Sequence, residues 1–120
     1  HNIVKNNGIE KYIVYSSFLP ESVAMMKEIA PECESGMLAV SIEDCINMAR
    51  QTNADALHPY LGGMTCEIPQ DMKDMPVRGW NGEEPFYKDG RELKDIHLDR
   101  FKAYGVTDII TNVPEIYLQN

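Results

Sequence analysis

The sequence has little positive charge and no long apolar run. Its 120 residues carry 11 Lys and Arg against 19 Asp and Glu, a net charge of −8 with a sequence pI near 4.7. Nonspecific binding to nucleic acid or to an anionic membrane surface needs a basic footprint, so neither is an expected partner. An anionic substrate would need a local cation to overcome this field, and a bound metal ion can supply it. No segment approaches the ~18 consecutive apolar residues of a membrane span, and no signal-peptide pattern is present. The expected location is cytoplasmic, with a membrane anchor in a longer parent chain as the alternative.

Cysteine is also scarce. Cys33, Cys45 and Cys66 are odd in number and their spacings fit no zinc pattern, so they read as reduced thiols in a cytosolic protein. Linkers, low-complexity segments and sequence repeats are lacking. "LGGM" has a glycine pair but no following lysine, which excludes a phosphate loop and predicts a flexible connection. Glu83, Glu84, Asp89 and Glu92 lack the alternate spacing of a calcium loop and read as solvated.

What the sequence does have is a regular alternation. "KYIVYSSF" is β-branched and aromatic and predicts a strand. "PESVAMMKEIAPE" predicts a helix, with Val23, Met26 and Ile29 at helical spacing and Pro31 as its stop. "SGMLAV" is a short apolar strand. "SIEDCINMARQT" opens on Ser41 as N-cap, has acids in its first turn, and repeats apolar residues at Ile42, Cys45, Ile46 and Ala49. "ADALHPY" and "PVRGW" predict two further strands, with one or two helical turns in "EIPQDMKDM" between them. A polar insertion over 81–91 follows. "LKDIHLDRFKAYG" is an amphipathic helix carrying Leu93, Ile96, Leu98 and Phe101, closed by Gly105. "VTDIIT" is a fifth strand and "PEIYL" starts a last helix.

Short, nearly all-apolar strands alternating with helices predict an α/β fold with a parallel sheet. Each strand–helix unit takes roughly 25 residues, close to the ~30 of an eight-fold barrel of about 250 residues. The chain is therefore one partial domain, residues 1–120, supplying about half to five-eighths of such a barrel. It would be closed by a missing half or a second copy of itself, or would rearrange into an open doubly wound sheet.

Four motifs in order, "YSSF", "ADALHPYL", "PVRGWN" and "GVTDIITNVPE", resemble the C-terminal half of the glycerophosphodiester phosphodiesterase family. The family shows Ser-Phe, then a strand ending in His-Pro or Asn-Pro, then Val-x-x-Trp-Thr, and then Gly-Val-Asp-Gly-Ile-Ile-Thr-Asp-x-Pro. The resemblance runs from about residue 10 onward. It implies the C-terminal half of a (β/α)8 TIM barrel. The activity implied is metal-dependent hydrolysis of glycerophosphodiesters to an alcohol and glycerol 3-phosphate, with two histidines as acid and base.

The family's His-Arg-Gly histidine, its second histidine and its calcium or magnesium ligands lie in the N-terminal half. None of those motifs occurs here, so the resemblance assigns this chain no catalytic residue and no metal ligand. The isolated 120 residues are expected to be inactive. By the same resemblance the substrate-binding candidates are Trp80, His58, Ser17, Phe18, Asn81, Thr111 and Asn112. Trp80 would wall the glycerol or alcohol group and Ser17 matches the family serine. Asn81 stands where threonine is usual, and Asn112 replaces an aspartate. Arg78, two residues before Trp80, shares its strand face and would pair with a buried acid or favour an anion. His97 falls in the amphipathic helix and reads as surface or packing. The implied partners are a small glycerophosphodiester and the missing half-barrel. The competing reading is a noncatalytic, self-associating α/β binding module.

Overall fold

The strands of the main sheet run in one direction and in sequence order. In this computed structural model, residues 1–80, 87–88, 91–92 and 98–110 are described. Strand β1 (Val14–Ser17) pairs in parallel with β2 (Glu34–Ala39), and β2 with β3 (Ala56–Pro59). Strand β4 (Arg78–Trp80) joins β3 through parallel bridges Leu57↔Val77 and Tyr60↔Trp80, reinforced by a 3.0 Å bond from the Leu57 N–H to the Pro76 carbonyl. A two-residue antiparallel ladder, β5 (Tyr87–Lys88) with β6 (Arg91–Glu92), lies at the insertion. Strand β7 (Asp108–Ile110) then pairs in parallel with β4. The order β1-β2-β3-β4-β7 never reverses among the described residues. A doubly wound sheet needs such a reversal, so the observed order is that of a partial barrel wall.

The helices form because their sequences place one apolar stripe against this wall. Helix α3 (Ile42–Thr52) has Ser41 as N-cap, its hydroxyl accepting from the Asp44 N–H, and Asn53 in the left-handed conformation at its end. The four apolar positions expected to face inward, Ile42, Cys45, Ile46 and Ala49, are all buried. They pack with Met37, Ala39 and Leu57 from the sheet and Val23 from α2 (Pro20–Ile29). Each such burial stabilises the fold by roughly 1.5–3 kcal/mol for a side chain of leucine size. The stripe on α2 is less covered than its spacing predicts: Val23 is buried, but Ile29 is 54% exposed. The reason is position, since α2 covers β1, the edge strand of the described sheet.

Short 3-10 turns also lie at Glu10–Tyr12 and at Gln70–Met72, the latter within the stretch expected to form one or two helical turns. A short helix, α1 (Asn2–Asn6), precedes β1 and has no signature in the sequence reading. The "LGG" stretch is a 3-10 turn, Leu61–Gly63, with Leu61 1% exposed. Gly63 presses so closely on the Val40 carbonyl that a Cβ there would overlap it. Helix α4 (Leu98–Tyr104) ends at Gly105, whose φ of +111° is the conformation the C′ reading requires. Asn81, Thr111 and Asn112, His97 and the expected last helix lie outside the described residues.

Candidate functional site

Alternation along the strands sorts side chains onto two faces. Met37, Leu57 and Val77 point to the helices and form the core. The opposite, open face carries Ser16 from β1, Glu34 and Gly36 from β2, His58 from β3, Arg78 and Trp80 from β4, and Asp108 from β7. This open face corresponds to the interior of a closed barrel. Three of its apolar side chains, Phe18, Val40 and Ile110, are exposed.

Three aromatic rings cluster where the strands end. Phe18 directly follows β1, Tyr60 directly follows β3, and Trp80 closes β4. The Tyr60 and Trp80 centroids are 4.8 Å apart, and Phe18 meets Trp80 edge-on at 5.8 Å and 88°. The Trp80 indole N–H donates to the His58 carbonyl at 2.8 Å, so the ring is fixed in place while the residue stays partly exposed. The C-terminal ends of strands are where barrel enzymes build their active sites.

Below the aromatics lies a buried histidine. His58 is 1% exposed, with Nδ1 2.6 Å from the Ser16 hydroxyl oxygen. Its ring lies directly on Gly36, leaving no room for a Cβ at that position. Burial holds the imidazole below its usual range; Glu34 opposes this and Arg78 adds to it. The Ser16 hydroxyl and Nδ1 share one hydrogen bond, while Nε2 is buried and finds no partner among the described residues.

The arginine on this face is already neutralised. Arg78 donates from Nε and Nη2 to Glu34 at 2.8 and 2.9 Å, and lies 3.0 Å from Asp108 through Nη1. Hydrogen bonding to Glu34 first, and the nearby Asp108 charge last, raise its pKa further. Of the two roles expected for Arg78, it takes the ion pair. With Glu34 and Asp108 the cluster carries one net negative charge, so it offers no excess cation to a phosphate. Ser16 and His58 belong to strands two apart, as do Glu34 and Arg78. Such contacts between alternate strands are how side chains layer inside a barrel.

Of the sequence candidates, Trp80, His58 and Phe18 converge here. Ser17 lies on the helix-facing side, where its hydroxyl accepts from the Leu19 N–H at 3.0 Å, and its neighbour Ser16 is the one on the open face. Asn81, Thr111 and Asn112 fall outside the described residues. Sequence reasoning missed Ser16, Gly36, Glu34 and Tyr60. Tyr60 was recoverable, being two residues beyond His58 on the same face.

The buried neutral His58 has a pH consequence. Its folded pKa is depressed below ~6.5, so its contribution to stability is present above that value. It is lost as pH falls towards the folded pKa, because the unfolded chain takes up the proton first. His58→Asn is expected to lose less stability than wild type between pH 7.5 and 5, measured by urea unfolding. Equal losses would contradict a buried neutral ring.

No protein-family model matches the chain. It is 27% identical over 113 residues, 93% of its length, to a curated glycerophosphodiester phosphodiesterase of Caldanaerobacter subterraneus subsp. tengcongensis. It spans 43% of that protein's length. In fold it matches the crystal structure of a protein from Galdieria sulphuraria provisionally identified as a glycerophosphodiester phosphodiesterase. That match has a TM-score of 0.66 at 18% identity and covers 95% of this chain and 45% of the other. The chain thus spans less than half of either protein, and its fold is that of a partial barrel.

Proposed function

We propose that this chain is the substrate-walling part of a glycerophosphodiester phosphodiesterase barrel, and that the groups that cleave the diester belong to the rest of that barrel. The observation that carries the reading is the cluster of Phe18, Tyr60 and Trp80 at the strand ends, above a neutral, buried His58. It is supported by the sequence likeness to a phosphodiesterase over 93% of the chain.

The division of labour follows from the charges. A divalent metal with acid-base groups would supply phosphoryl activation and proton transfer. The carboxylates on the described open face do not fit a metal, because Glu34 and Asp108 are both held by Arg78. No step through a metal is assigned to this chain. Its own residues pack the glycerol or alcohol carbons against Trp80 and shield them from water with Phe18 and Tyr60, while His58, buried beneath, holds the Trp80 indole through its backbone carbonyl. Arg78 fixes the strands beneath.

Two observations test this. The reading frame upstream of His1 is expected to encode a His-Arg-Gly strand end and a Glu-x-Asx pair. In the longer chain, Trp80→Ala is expected to raise KM for a glycerophosphodiester by about tenfold with a smaller change in kcat, the pattern of lost ground-state binding. An unchanged KM would remove Trp80 from the substrate wall.

A further inference from the structure

Away from the aromatic cluster, at the opposite ends of β1 and β2, three side chains with metal-binding atoms meet. A ring nitrogen of His1, a carboxylate oxygen of Glu32 and the sulfur of Cys33 all lie within 4.8 Å of one another. His1 Nε2 is 2.9 Å from Glu32 Oε1, and Nδ1 is 3.0 Å from the Tyr15 hydroxyl. The Cys33 thiol donates to the Glu10 carbonyl at 3.4 Å. Cys33 is buried at 2% exposure, and the His1 side chain is 8% exposed. Glu32 reaches solvent, which leaves an entry path.

The geometry points to a site for a zinc-class divalent cation held by His1, Glu32 and Cys33, with a fourth position open to water. The donor set decides the class of ion. Nitrogen, oxygen and thiolate sulfur together suit Zn²⁺ and Co²⁺, whereas Mg²⁺ and Ca²⁺ require oxygen ligands. On binding, the sulfur–metal bond forms as the S–H bond breaks, and the proton passes to solvent. The site is separate from the phosphodiesterase reading. It lies at the N-terminal ends of the strands, the face that serves stability in barrels. A metal there would tie the segment carrying His1 and α1 to the residues that lead into β2.

Titration of the metal-stripped chain with Co²⁺ tests this. The expected result is a thiolate-to-cobalt absorption band that saturates at a single equivalent, is displaced by Zn²⁺, and is unaffected by excess Mg²⁺ or Ca²⁺. Cys33→Ser is expected to abolish the band and His1→Ala to weaken Co²⁺ binding by at least about tenfold. Cys66→Ser, at an exposed thiol remote from the cluster in sequence, should leave it intact. Circular dichroism of each variant separates lost binding from lost folding, and His1 lies outside the described core cluster. Absence of the band in wild type, its persistence in Cys33→Ser, or its loss in a folded Cys66→Ser would overturn the assignment.

Discussion

Gly36→Val is expected to expel the His58 ring from its seat and to destabilise the chain by about 2–4 kcal/mol. The cause is space, since Gly36 has no left-handed backbone angle to protect. A Cβ at Gly36 would overlap His58 Cε1 and Nε2. The overlap is with the ring of a 1%-exposed side chain, which has little freedom to yield. Moving the ring breaks its bond to Ser16 and disturbs the backbone whose carbonyl holds Trp80. The clash can be isolated with a double-mutant cycle in urea. Gly36→Val combined with His58→Ala should cost clearly less than the sum of the single changes, because the second removes what the first strikes. Additive costs would mean that the ring does not occupy the space above Gly36.

Phe101→Ala is expected to cost about 3–5 kcal/mol. Phe101 is 1% exposed and belongs to the core cluster with Ile68, Val77 and Val106. It is the apolar anchor of α4, and its carbonyl accepts from the Val106 N–H at 3.0 Å, which sets the entry into β7. Strand β7 in turn carries Asp108, a partner of Arg78. Loss of the ring should therefore loosen both the helix and the far side of the open face. Net stabilities of domains are only about 5–15 kcal/mol, so this substitution would consume a large share. Phe101→Leu keeps most of the volume and should cost less than about 1.5 kcal/mol. Thermal and urea unfolding of both variants gives the comparison; near-equal small costs would show that α4 is not anchored through this ring.

The architecture was legible because strand and helix signals alternate at nearly constant spacing, and because α3 is written out completely, from the Ser41 cap to its four buried positions. The direction and order of the strands are less local properties. The sequence left three ways to complete the sheet, and the parallel bridges between β3 and β4 remove the doubly wound one. At the site, Trp80 and His58 were legible because each stands near the end of a strand signal. Ser16 was not distinguished from Ser17, since one residue of strand phase moves a side chain to the other face and two adjacent serines carry no signal to set it. Glu34 was hidden for a different reason. An acid at the start of an apolar strand looks like a boundary residue until Arg78, 44 positions on, is brought against it. The His1, Glu32 and Cys33 grouping was equally hidden, because it depends on α1 folding back beside the start of β2.

In the proposed division of labour, one wall holds substrate and the remainder of the barrel cleaves it. The most direct test is release of glycerol 3-phosphate from glycerophosphocholine, with Mg²⁺ or Ca²⁺, by the 120-residue chain alone and by a chain extended through the natural upstream sequence. The expected result is no release by the first and metal-dependent turnover by the second. Turnover by the 120 residues alone, or a folded but inactive extended chain, would contradict it.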